Sequence, residues 1–436
     1  MAALVVLTRL ALPAVARAQA PAQTSTQTST QTSTHTAAPS GAENLNSLLA
    51  EAATGDARAQ FNLANYYFQT RHATLEYAQA LAWYRKSADQ GYAPAQNQLG
   101  SMYQHGFGVV RNFKLALADF RKAADQGYAP AQFNLGVMYE SGKYGVKRDY
   151  KQAYAWYRKA ADQNFADAER EVAYFFQCGF GVKRDLAQAL AWYRRSADHG
   201  SAMAENQLGY FAEQGWGEPQ DYAQALSWYY KAAQHGSDMA QENVGYMYQH
   251  GTGVPVDYGK AMSWFDQAAA QGNGDAENQL GWMYQFGQGV KTDYSRALSW
   301  YQLSADQGNI NGQRNLETLT ADLEEDDGGD WQNATAPVHD PVIDQAQRWA
   351  NIQNLRSRID GVEADAEDQG EIASQLEGMG KGKNDGVSKI FTAMGNVGAA
   401  KYHIQAEKDR YEAASLRDQL ALLEIQSQSS QWARTP

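Results

Sequence analysis

Imidazole and thiol groups recur at one address in this chain. The stretches YQHGFGVV (103–110), FQCGFGVK (176–183), YQHGTGVP (248–255) and YQFGQGVK (284–291) put His105, Cys178 and His250 at matching positions. Brought together, such groups would ligate zinc or pair a nucleophile with its base. Just downstream, Asn112, Asp149, Asp185, Asp221, Asp257 and Asp293 also recur, and their carboxylates could serve acid and base chemistry. Their placement argues otherwise. His105, Cys178 and His250 fall in the second, fourth and sixth copies of a repeated unit, about 20 Å apart at a helix spacing of about 10 Å. Zinc ligands must lie within about 2.0–2.3 Å of the metal. His199 and His235 end neighbouring helical segments, where positive charge suits the helix dipole. The expectation is a chain with no catalytic residue, no metal and no cofactor.

The repeat is what must position everything else. Units begin at Gly55, Gly91, Gly127, Asn164, Gly200, Gly236 and Gly272, and an eighth, half-length unit begins at Gly308; the starts lie 36 residues apart, with one interval of 37. A fixed period of this size is the signature of a solenoid, whose units bury their apolar faces against one another. Each unit holds two helical patterns. In the second unit Ala95, Leu99, Met102 and Tyr103 share the face of a first helix, and Ala116, Phe120 and Ala124 that of a second. Aromatic pairs recur at one place in the second helices, among them Trp83-Tyr84, Trp156-Tyr157, Trp192-Tyr193, Trp228-Tyr229, Trp264-Phe265 and Trp300-Tyr301, and are predicted to form the core. Gly106 and Gly108, Gly179 and Gly181, Gly251 and Gly253, and Gly287 and Gly289 stand where the first helix must stop and the chain reverse. The Asn or Asp that follows stands where an N-cap should open the second helix. The recurring carboxylates are therefore read as caps.

The runs AQNQLGSMYQHGFGV, AQFNLGVMYESGKYGV and AENQLGWMYQFGQGV, each followed by a second helix of A..WYRKAADQG type, resemble the Sel1-like repeats, relatives of the tetratricopeptide repeats. The resemblance spans about residues 55–320. It implies an all-α fold, an α/α solenoid wound as a right-handed superhelix, serving as an interaction scaffold and often found in exported or envelope-associated bacterial proteins. The cysteine-rich secreted members staple each unit with a disulfide. Cys178 is the only cysteine here, so a hydrolase of that cysteine-rich type is the least favoured reading.

One stripe of the first helices varies from unit to unit. Its middle members are Asn65, Ser101, Val137, Tyr174, Tyr210, Tyr246 and Trp282, so rings begin in the fourth unit. By resemblance to the tetratricopeptide relatives this stripe lines the concave surface. The candidate partner-binding residues are Arg170, Tyr174 and Gln177, then Asn206, Tyr210 and Glu213, then Glu242, Tyr246 and Gln249, then Asn278, Trp282 and Gln285. Rings interleaved with amides suit an extended ligand. A protein or peptide is the first reading and a glycan the alternative; a third possibility is that the rings simply pack between successive first helices. A second amide column, Asn62, Gln98, Asn134, Gln207, Asn243 and Gln279, is predicted to make hydrogen bonds between helices.

The ends differ in composition from the repeats. ALVVLTRLALPAVARA reads as a secretory signal ending at Ala18, and the Thr/Ser/Gln-rich segment 19–42 as an unfolded tether. Residues 43–320 form the solenoid, and 321–341 an acidic linker. Residues 342–427 carry two apolar helical patterns around GMGKGKNDG (378–386), predicting a long antiparallel helical hairpin or coiled coil that caps the solenoid or dimerises, with a short unfolded tail over 428–436. That glycine run lacks the GxxxxGK[ST] order and follows a helical pattern, so it reads as a turn and not a phosphate loop. A net charge of −12 and a pI near 5.2 argue against nucleic acid and anionic membrane surfaces as partners. The expected location is outside the cytoplasm of a bacterium, periplasmic or secreted, with no transmembrane segment once the signal is removed.

Overall fold

The computed structural model describes residues 41–69, 74–142 and 145–325, together with scattered positions between 342 and 420. The predicted signal, most of the tether, most of the linker and hairpin, and the tail lie outside the described residues. Sixteen helices, and no strand, are found among the described residues. A leading helix, α1 (Gly41–Ala53), precedes seven two-helix units. The first helices are α2 (Ala57–Gln69), α4 (Ala93–His105), α6 (Ala129–Ser141), α8 (Ala166–Cys178), α10 (Ala202–Gln214), α12 (Asp238–His250) and α14 (Gly274–Phe286). The second helices are α3 (Thr74–Asp89), α5 (Phe113–Asp125), α7 (Tyr150–Ala161), α9 (Leu186–Asp198), α11 (Tyr222–Gln234), α13 (Tyr258–Ala269) and α15 (Tyr294–Asp306). Each packs on its partner within the unit and on the first helix of the next, and α16 (Ile310–Glu325) closes the series against α15 and α14. This is an α/α solenoid.

The helix ends follow from a few residues. Asn112 accepts a hydrogen bond from the Leu115 amide at 3.0 Å, and Asp185, Asp221, Asp257 and Asp293 do the same three residues ahead. Such caps satisfy amides that a helix start leaves unpaired. Gly106, Gly179, Gly251 and Gly287 end the first helices at φ of 75°, 77°, 69° and 68°, a left-handed conformation that glycine reaches without a Cβ clash. Asn164, at φ 64°, is the one non-glycine residue with positive φ among the described residues, and it takes the place that Gly127 and Gly200 hold in neighbouring units. Asparagine is among the few side chains that tolerate that region.

The core is a contact between glycine and a ring. Tyr84, Phe120, Tyr157, Tyr193, Tyr229, Phe265 and Tyr301 are fully buried. In five units the ring lies flat against a glycine of the first helix: a Cβ added at Gly209, Gly245 or Gly281 would come within 2.6 Å of the Tyr229, Phe265 or Tyr301 ring. Of the paired tryptophans, Trp192 and Trp300 are buried as well, whereas Trp83, Trp156 and Trp228 are half-buried under the ammonium groups of Lys86, Lys159 and Lys231.

A second tie crosses each unit near the start of the first helix. Gln90 donates to Gln60, Gln126 to Gln96, Gln163 to Gln132 and Gln271 to Gln241, at 2.7–2.9 Å. In the fourth and fifth units the tie is ionic. His199 meets Glu169 at 2.6 Å beside Arg195, and His235 meets Glu205 at 2.7 Å beside Lys231. The two histidines are thus helix C-caps, as their position predicted, with a buried carboxylate as an added partner. In the seventh unit Glu277 faces the neutral amide of Gln307 at 2.7 Å, and burial pushes its carboxyl up to about 8.

The solenoid extends slightly beyond its predicted bounds. Helix α1 starts at Gly41, and α16 runs to Glu325, into the segment expected to be linker. Leu319, Leu316 and Leu323 keep packing on Ala297 and Tyr301, which holds this turn helical despite its acidity. Further on, Ile343 and Ala346 pack on the α13 and α15 side, and the Gln345 amide donates to the Ala270 carbonyl at 3.1 Å. Leu355 and Leu416 bury against one another.

Two outcomes are expected. Gly245→Val should lower the melting temperature measured by far-UV circular dichroism, through a loss of about 1–3 kcal/mol from overpacking against Phe265. Glu277→Gln should melt above the parent at alkaline pH. The folded-state carboxyl titrates above its unfolded value, so its stabilising share is complete below about 4.5 and disappears as pH rises through about 8. The difference between the two proteins should therefore be smallest near pH 4, grow through this window, and level off above it.

Candidate functional site

Most polar members of the first-helix stripe are spent inside the solenoid. The hydroxyl of Tyr193 donates to Gln177 at 2.6 Å, that of Tyr229 to Glu213 at 2.7 Å, and that of Tyr301 to Gln285 at 2.7 Å. Asn243 donates to Asn206 at 2.9 Å, and Asn315 to Asn278 at 2.8 Å. Asn273 donates to Glu242 at 3.3 Å, and Arg170 pairs with Glu171 at 2.7 Å. The second amide column contributes to these ties through Asn243, and through Asn134, which donates to Asn97 at 2.9 Å. Each such bond replaces one with water and adds about 1 kcal/mol; together they set the spacing of successive first helices.

The three tyrosines of the stripe are half-buried, each against other rings, and Trp282 is exposed. Tyr174 packs against Phe180 with centroids 5.9 Å apart, and Tyr210 against Trp216 at 5.2 Å. Phe180 and Trp216 occupy the position between the two loop glycines. In the sixth and seventh units that position holds Thr252 and Gln288, and neither can cover a ring. Tyr246 still lies on Phe265 and stacks on His250, each with centroids 5.6 Å away. Trp282 is 40% exposed and lies 4.3 Å from the ring of Phe286, itself 52% exposed.

Around Tyr246 and Trp282 the first helices line a shallow, open cleft of about 410 Å³. Helix α12 supplies Tyr246, Gln249 and His250, and α14 supplies Asn278, Gln279 and Trp282. Tyr258, Gln288 and, from α16, Asn311 and Asn315 complete it. The structure thus gathers Tyr246, Gln249, Asn278 and Trp282 from the candidate set into one place, and leaves Arg170, Tyr174, Gln177, Asn206, Tyr210, Glu213, Glu242 and Gln285 outside it. Phe286, Tyr258, Gln288, Asn311 and Asn315 were not on the stripe. The signals for them were the spacing of Trp282 and Phe286 by one helical turn, and the loss of the loop ring in the last two full units.

No Asp, Glu, Lys or Arg lines this cleft. The recurrent His and Cys residues do not converge either. His105 and His250 turn their Nδ1 atoms to the carbonyls of Ser101 and Tyr246, at 2.9 and 3.1 Å, at the ends of separate helices. Burial pushes the Cys178 thiol up, away from the reactive thiolate. Among the described residues no group of three or more His, Cys, Asp or Glu could hold a metal ion, and no helix is long and apolar enough to cross a membrane.

Comparison with known proteins accounts for the repeat. The Sel1 repeat model matches seven consecutive segments, 57–92, 93–128, 129–165, 166–201, 202–237, 238–273 and 274–309, which together make up more than half of the chain. A Sel1 repeat protein from Oxalobacter formigenes is similar at 36% identity and a TM-score of 0.54, over 57% of this chain and 99% of its own. The protective antigen c5321 of uropathogenic Escherichia coli, described as displaying an SLR fold, is similar at 26% identity and a TM-score of 0.54, over 90% of this chain and 98% of its own. No curated protein matches the chain. Seven matched units in register with the observed helix pairs show that this chain belongs to the Sel1 repeat family.

Proposed function

We propose that the chain is an exported, non-catalytic scaffold that holds a partner protein against the first-helix face of its last three units. The observation that carries this reading is the Trp282–Phe286 pair, two large rings in contact with each other and still 40% and 52% exposed. Aromatic anchors of this kind carry a disproportionate share of interface energy, and their exposure on a polar-rimmed surface marks a docking site. The family's solenoids generally serve as interaction scaffolds, and the cleft, lined mainly by amides and rings, sets no nucleophile or second acid or base beside its one histidine, His250, whose Nδ1 is turned to the Tyr246 carbonyl. The signal-like segment ending at Ala18 supports export, as does the similarity to a chain described as a protective antigen.

The covered rings supply the control. A Trp282→Ala, Phe286→Ala double variant should lose the protein that the parent chain retains from an envelope extract of its own organism, with an unchanged melting temperature. Tyr210→Ala should lower the melting temperature, because that ring packs on Trp216, and should retain the partner. Retention by the double variant equal to that of the parent would remove the two rings from the interface and overturn the proposal.

A further inference from the structure

The wall of the cleft beside Trp282 holds a buried amide oxygen, that of Gln249, without a hydrogen-bond partner. In the fourth, fifth and seventh units the core tyrosine hydroxyl donates to the residue that closes the stripe, as Tyr301 does to Gln285 at 2.7 Å. The sixth unit has Phe265 in that place. Its partner position, Gln249, is 7% exposed, and its Oε1 has no hydrogen-bond partner, while its Nε2 donates to Gln288 at 3.1 Å. Turning the amide over exchanges the two ends and still leaves one unmatched. A buried amide end left unpaired is unfavourable, because it has given up its bond to water without replacing it. It sits in the wall of a cleft, and a ligand would supply what Phe265 lacks.

The lining defines that ligand's chemistry. The cleft has no carboxylate, ammonium or guanidinium, and its one ionisable imidazole, His250, is held by its Nδ1 on the Tyr246 carbonyl, so the lining favours an uncharged ligand. Gln249, Gln279 and Asn315 each use one amide N–H within the protein, on Gln288, Tyr246 and Asn278, and a primary amide keeps a second N–H and its oxygen lone pairs, the match for hydroxyl groups that both donate and accept. Tyr246 and Trp282 offer ring faces whose negative quadrupole suits C–H bonds. The site is also short. Toward the N-terminus its lining ends at α12, and the next stripe ring, Tyr210, is packed edge-on against Trp216. A volume of about 410 Å³ lies within the usual range for small ligands.

We propose that this cleft is a binding subsite for a neutral sugar, one or two residues at the end of a glycan, with Trp282 as the stacking platform and Gln249 as a hydrogen-bonding group in its wall. The inference rests on the first-helix face being the binding face, and it identifies the group of the partner that this face contacts.

The test is saturation-transfer NMR and tryptophan fluorescence titration of the full chain. The probes are cellobiose and N,N′-diacetylchitobiose as neutral disaccharides, sialyllactose as a charged one, and an end-blocked uncharged hexapeptide. A neutral disaccharide is expected to bind saturably and in preference to sialyllactose and the peptide. Trp282→Ala should weaken it about tenfold. Phe265→Tyr, which restores the buried hydroxyl without touching the surface, should raise the melting temperature and weaken the sugar about fivefold, the equivalent of one hydrogen bond. Absence of binding by both disaccharides, a preference for the peptide or for sialyllactose, or unchanged affinity in either variant would overturn the proposal. If the sugars fail while the Trp282, Phe286 double variant still loses its protein partner, the scaffold reading stands and only the sugar subsite falls. If sugar binds and no protein is retained, the reverse holds.

Discussion

The distance between the two helices of a unit rests on the contact between a glycine with no side chain and the face of a buried ring. Gly100, Gly136, Gly209, Gly245 and Gly281 each lie so close to the ring of the second helix that a methyl group would overlap it. Where the fourth unit has Ala173 and the first has Ala64, the fold accommodates one carbon at this place and nothing larger occurs. Dense packing of this kind is sensitive to single carbons. It also makes the two helices nearly equivalent in every unit, so that unit after unit stacks with the same offset. The stability of such an array is close to a sum over units and their interfaces, which leaves any one unit free to depart from the pattern.

The loop that joins the helices couples this packing to the open face. Its first glycine ends the first helix, and its second lies against the start of the preceding second helix; a Cβ at Gly289 would meet Tyr258 at 2.7 Å. The residue between them is therefore held over the end of its own first helix. When it is Phe180 or Trp216, it packs on the stripe ring; where it is Thr252, the stripe ring Tyr246 lies instead on Phe265 and His250, and where it is Gln288, Trp282 is left exposed beside Phe286.

This explains why the fold was legible in the sequence and the site only partly so. The 36-residue period, the Asp caps at 149, 185, 221, 257 and 293, and the glycine stops each reflect a local rule that acts the same way in every unit, and repetition makes such rules visible. The stripe was legible as a stripe, since helical periodicity places Tyr174, Tyr210, Tyr246 and Trp282 on one face. Which rings are open depends on contacts six residues away in the loop, and which amides are free depends on bonds to the next unit. Asn206 and Asn278 occupy the same position as potential contacts, and both accept from an amide 37 residues ahead. The exchange of a Gln–Gln tie for Glu169 with His199 was hidden for the same reason, because its two halves lie 30 residues apart.

The sixth unit lacks an internal bond that its neighbours make. In an isolated small domain, loss of the hydroxyl at position 265 would subtract from a single cooperative core. In a stacked array the deficit stays local, because the neighbouring units keep their own ties through Tyr229 and Tyr301. The same unit has also lost its loop ring, with Thr252 where its neighbour toward the N-terminus has Trp216. Two departures from the repeat, one in the core and one in the loop, flank the same side chains, Tyr246 and Gln249, and both remove partners those side chains have elsewhere in the array. The second unit also has a core ring without a hydroxyl, Phe120, but keeps its loop ring, Phe107, and the seventh lacks the loop ring but keeps Tyr301; the sixth is the unit in which the two departures coincide, and a ligand can form only those contacts that the fold has left unmade.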